Sequence, residues 1–103
     1  MAFYMGYITH PDQATANRIG RCLVEEKLAA CANVFSIRSH YWWQQTIESE
    51  DEWVSLVKTT SEKWKALEAR VKELHPYEVP CIINWEVNAN QAYEDWVKES
   101  VGG

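Results

Sequence analysis

The sequence predicts an α+β domain of the ferredoxin-like split βαβ type, with a long hairpin between its second and third strands and a short C-terminal helix. Three observations carry that reading. Two stretches show apolar residues at helical spacing, and each is flanked by runs rich in β-branched and aromatic residues. The two halves so defined repeat the order strand, helix, strand. Between them, two long strand-like runs meet near Gln44 and Gln45. At 103 residues the chain reads as a single domain over 1–103 with a modest core. The right-handed crossover rule leaves few other ways to wind this order, so a four-stranded antiparallel sheet carrying two helices on one face is expected.

The elements follow in chain order. "FYMGYIT" is a short apolar and aromatic strand ended by "THPD", and Pro11 and Asp12 open a helix in which Ala16, Ile19 and Leu23 recur at helical spacing, with Cys22 beside them. "AACANVFSIRSHYWW" and "TIESEDEWVSLVKTT" read as the arms of the hairpin, with Trp53, Ser55 and Val57 on one face and Val54, Leu56 and Lys58 on the other. "TTSEKWKALEARVKEL" is the clearest helix: Thr59 and Glu62 have capping-box spacing, and Trp64, Leu67, Val71 and Leu74 form one apolar stripe. "VPCIINWEV" reads as the last strand, and Asn90 starts a short helix in which Tyr93, Trp96 and Val97 share a face.

The hairpin implies a partner. Arms of about 14 residues exceed the usual strand of about 5–6. At about 3.3 Å per residue they reach about 45 Å, well beyond a body whose radius of gyration should be about 13 Å. A two-stranded ribbon is marginal in water, yet this one carries Tyr41, Trp42, Trp43 and Trp53. Trp42 and Trp43 are consecutive and point to opposite faces, so at least one needs a cover. Another copy of the same chain is the simplest one, and six tryptophans in all suit an interface.

Composition excludes several classes. The net charge is −5 and the basic residues form no stripe, which argues against nucleic acid and against an anionic membrane surface. No apolar run is long enough to span a bilayer, and the N-terminus lacks the pattern of a secretion signal, so a cytoplasmic protein is expected. Cys22, Cys31 and Cys81 are odd in number and widely spaced, as reduced thiols would be.

"HPYEVPC", residues 75–81, is the densest chemistry in the chain. The helix before it should end at or before Leu74, because residues preceding proline avoid the helical region. His75 then sits at a helix C-terminus, where a protonated imidazole is favoured. The stretch is a rigid helix-to-strand connector, or His75, Glu78 and Cys81 converge on a soft cation such as zinc or copper. The spacing matches no established ligand pattern and favours the connector. Cys31 and Cys22 read as small core residues. His10 either caps the first helix or lies near a ligand, and His40 faces solvent from the hairpin. The acidic group Glu48, Glu50, Asp51 and Glu52 reads as a solvated strand edge. Lys58 is either an exposed strand-end charge or an anion contact near the second helix's N-terminus. No phosphate loop, nucleophile elbow or His-Glu-x-x-His motif is present, so no enzyme is predicted.

Taken together, "EEKLAACANVF", "SHYWW" followed by "TIE", "VKTTSEKW", "LHPYEVPCII" and "YEDWVKESV" resemble, in order, the CutA family of divalent-cation tolerance proteins. The resemblance implies a homotrimer with hairpins wrapped around neighbouring subunits, kinship with the PII signalling proteins, and a role in tolerance of divalent metals, notably copper. It implies His75 as the leading metal contact; beside it, Glu78, Cys81, His10 and Cys31 are this chain's own candidate helpers. Tyr41, Trp43, Lys58, Tyr77 and Glu78 would line a cleft between subunits, where a small anionic effector is the alternative ligand. A divalent transition metal would be bound without being required for folding. Four positions depart from the family pattern: Ile8 and Leu74 stand where copper-binding members can carry Cys and His, Cys81 stands where Glu is common, and Gln45 replaces the hairpin glycine.

Overall fold

A computed structural model describes residues 3–102. Strand β1 (Phe3–His10) leads to helix α1 (Gln13–Glu25), strands β2 (Cys31–Trp43) and β3 (Thr46–Thr59), helix α2 (Ser61–Leu74), strand β4 (Ile82–Val87) and helix α3 (Gln91–Gly102). The sheet order is β2-β3-β1-β4 with every neighbouring pair antiparallel, which is the expected split βαβ plan. The final strand is shorter than expected: Val79, Pro80 and Cys81 stay outside it and belong to the connector.

Alternation along the strands separates the two faces of the sheet. Register puts Gly6, Ile8, His10, Ala32, Val34, Trp53, Ser55, Val57 and Ile82 on one face. The stripes of α1 (Ala16, Ile19, Leu23) and α2 (Trp64, Leu67, Val71) are buried, and Ile8, Ile19, Leu23, Val57, Trp64, Leu67 and Val71 form one core cluster. Asp12 starts α1 as its N-cap, accepting from the Thr15 N–H at 2.7 Å. Helix α2 differs from the expected capping box. Its N-cap is Thr60, which makes no side-chain cap bond, while the Thr59 hydroxyl donates to the Leu28 carbonyl at 2.6 Å and ties β3 to the segment after α1. Cys22 is only half-buried, at the rim between the helices, where its thiol faces Glu26 and Arg70.

The other face is open except at one end. There α3 covers it, with Phe3 against Tyr93 and the Lys58 ammonium over the Tyr93 ring. The buried face of α3 is Glu94, Val97 and Val101 rather than the expected Tyr93, Trp96 and Val97; Trp96 is exposed because it lies on the outer flank.

The hairpin overhangs the body. Strand β1 pairs with β3 only as far as His10↔Trp53, so among the described residues β2 is the sole strand paired with residues 46–52. The molecule measures 45 × 23 × 20 Å, and its radius of gyration of 14.1 Å exceeds the value of about 13 Å for a compact chain of this length. The turn holds Gln44 and Gln45 at φ of 49° and 70°, a left-handed pair of the kind that closes two-residue hairpins and that favours Asn and Gly. Gln45→Gly is therefore expected to stabilise the hairpin by about 1 kcal/mol, measured as a raised midpoint in urea unfolding.

Candidate functional site: a cleft where the hairpin leaves the body

A cleft of about 810 Å³ opens on the uncovered face, bounded by β2, the end of β1 and the 75–81 connector. Tyr41 and Trp43 from β2 and Tyr7 from β1 form aromatic walls. Glu52, Tyr77, Glu78 and Cys81 are among its polar groups, with Arg38 and His40 at its border. Glu52 is buried, and its carboxylate accepts a 2.6 Å hydrogen bond from the Tyr77 hydroxyl. Burial first, then the bond to Glu52, pushes the Tyr77 hydroxyl well above its ordinary range, so it stays a neutral donor. Burial likewise raises the Cys81 thiol, partly offset by the Thr9 hydroxyl. Tyr41 donates to Glu50 at 3.0 Å, and that bond raises its hydroxyl too.

Behind the cleft wall two imidazoles stack, His10 and His75, with ring centroids 5.1 Å apart and planes 21° from parallel. His10 is fully buried rather than a helix cap. The Ser55 hydroxyl donates to the Ala16 carbonyl, so His10 Nε2 donates to Ser55 Oγ at 2.8 Å. That leaves His10 Nδ1 buried without a partner. His75 Nε2 lies 2.6 Å from the Thr9 carbonyl oxygen, which only accepts, so this nitrogen carries the proton. Its Nδ1 accepts from the Tyr77 N–H at 3.1 Å. The protonated imidazole expected at the α2 terminus is thus replaced by a buried neutral one, because desolvation outweighs the Thr9 hydrogen bond and the Glu52 charge and lowers the His75 pKa.

The expected metal residues are dispersed by this geometry. Both nitrogens of His75 are engaged, His10 is sealed in the core, Glu78 is exposed and Cys81 is half-buried in the cleft. Cys31 lies at the other end of the open face, opposite Lys58. Among the described residues no three His, Cys, Asp or Glu side chains converge to hold a metal ion. One chain by itself does not fit a resident metal. The expected cleft group also divides. Tyr41, Trp43 and Tyr77 come together, but Lys58 is held away by Asn33 at 2.8 Å, with Cys31 at 4.0 Å and Tyr93 beside it. Cys31 is half-buried there rather than in the core.

Family comparison matches residues 4–100 to the CutA1 divalent ion tolerance protein family. The chain belongs to the CutA family. A divalent-cation tolerance protein CutA from Thermotoga maritima is 46% identical over 96 residues, 92% of this chain and 95% of that one. A structure named the periplasmic divalent cation tolerance protein CutA from Archaeoglobus fulgidus superposes with a TM-score of 0.92 at 40% identity, covering 98% of this chain and 99% of that one. CutA1 from Pyrococcus horikoshii superposes at 0.91 with 39% identity, covering 94% and 96%. Against this CutA fold, sequence reasoning missed Ser55 and Glu52 as site residues. Alternation puts both Glu50 and Glu52 on the face of Val54 and Leu56, but only Glu52 adjoins the part of β3 paired with β1 and is buried, whereas Glu50 and Asp51 lie out on the ribbon and are exposed, as expected of the acidic group.

Proposed function

We propose that the protein serves divalent-cation tolerance in the cytoplasm as a homotrimer, without catalysis, taking up copper or a similar soft divalent ion weakly at the cleft. Cys81 is the soft donor and Glu78 a second, with the remaining donors supplied across a subunit boundary. The observation that carries the reading is the unpartnered apolar face: Phe35, Ile83 and Trp85 all point from the uncovered side of the sheet and are each at least 40% exposed. Such a face, continuous with an overhanging hairpin, supports burial against copies of the same chain. Trimeric assembly would bring a neighbour's groups to the cleft mouth and so supply what one chain lacks. Membership of a family described by divalent ion tolerance supports the metal role. Because the Cys81 thiol is raised, metal uptake should release a proton and strengthen as pH rises.

Sedimentation equilibrium tests the assembly. The expected mass is about three times the 12.0 kDa of one chain, and Trp85→Lys should shift it toward one chain by burying a charge in the interface. A wild-type mass of a single chain would remove the basis of the proposal.

A further inference from the structure

We infer that the cleft selects small organic cations, in particular alkylammonium groups, and not the anionic effector that a lysine-lined cleft would take. The inference rests on the cleft of the preceding section and names the ligand class it fits. Aromatic side chains line its walls, from Tyr7, Tyr41, Trp43 and Tyr77. Its floor holds the Glu52 carboxylate, only 6% exposed and bonded to a neutral hydroxyl. An aromatic face and a carboxylate both attract a cation, and the attraction grows where water is excluded.

Positive groups that would invert this preference are committed elsewhere. Lys58 is held at the far end of the sheet by Asn33. Arg38 borders the cleft but lies 3.0 Å from Asp51, and His40 Nδ1 is paired with the Ser49 hydroxyl at 2.8 Å. Glu78 adds negative charge at the mouth. An anion entering here meets a buried carboxylate and finds no uncommitted cation among the described lining residues. A quaternary ammonium is the sharpest probe, because it has no N–H to donate and so reads the ring faces and the carboxylate charge alone.

The test is a titration of the intact protein, followed by tryptophan fluorescence and calorimetry, with choline, its uncharged tert-butyl analogue and citrate. Choline is expected to saturate the site and to bind at least about tenfold tighter than the uncharged analogue, with citrate not binding. Glu52→Gln, which keeps an acceptor for Tyr77, should weaken choline about tenfold. Trp43→Leu, at a half-exposed position, should weaken it as well and serves if the first variant fails to fold. Equal binding of choline and its analogue, preferential binding of citrate, or no saturation by choline would overturn the inference. The molar mass of the same sample keeps the two proposals apart. A trimer that ignores choline defeats the ligand class alone, and a monomer that binds choline defeats the assembly alone.

Discussion

Trp64→Ala is expected to cost about 3–5 kcal/mol, the largest loss of any single core truncation in this chain. The indole is 5% exposed and lies between α2 and β1, where Tyr4 meets its ring at 6.3 Å between centroids. Gly6 makes room for it. A Cβ on Gly6 would stand 2.7 Å from two carbons of the Trp64 ring and 2.8 Å from a Val57 methyl, closer than carbon atoms approach. Gly6→Ala should therefore cost about 1–3 kcal/mol by overpacking. The two sites are in contact, so their effects should not add. Trp64→Phe withdraws ring atoms from the Gly6 side and removes an indole N–H that is buried without a partner. Its combination with Gly6→Ala should be less damaging than the sum of the two changes. Urea unfolding of the four proteins in this cycle checks the claim, and strict additivity would show that Gly6 is not there to admit the ring.

Acid should weaken the fold before carboxylates begin to titrate. Burial lowers the His10 pKa from 6.5 to about 4, and His75 and Arg18 push it the same way against a smaller opposing effect of Asp12. The unfolded chain thus binds a proton that the folded one refuses. The stabilisation is complete above about pH 6.5, is lost as pH falls toward 4, and changes no further below that. Over this window the loss is about 3 kcal/mol for each chain. His75 adds to it in the same direction, since its pKa is also lowered. His10→Gln should flatten the dependence of melting temperature on pH between 6.5 and 5, whatever its effect at neutral pH. An unchanged slope would place the acid sensitivity elsewhere. Ser55 belongs to the same device, because its hydroxyl is what the His10 Nε2 proton reaches.

The fold was legible because its signals are periodic and local. Ala16, Ile19 and Leu23 mark the buried side of α1, Trp64, Leu67 and Val71 that of α2, and two long alternating runs mark the hairpin. The site was less legible because it depends on which strand ends meet. His10 and His75 stack only because the end of β1 lies beside the end of α2, a juxtaposition with no counterpart in local spacing. The resemblance implied Lys58 as a cleft residue. Register instead sets it opposite Cys31, at the end of the open face covered by α3, away from Tyr41 and Trp43. The connector reading of "HPYEVPC" fits the structure better than a ligand set within one chain, since His75 spends both nitrogens on backbone groups of Thr9 and Tyr77.

Copper titration of the reduced protein by calorimetry, with Cys81→Ala and His75→Ala alongside, tests the proposed function most directly. The account predicts weak, saturable binding that releases a proton, is abolished in Cys81→Ala, and is at most modestly reduced in His75→Ala through loosening of the connector. Copper binding that survives Cys81→Ala unchanged, or no binding by the native protein, would contradict it.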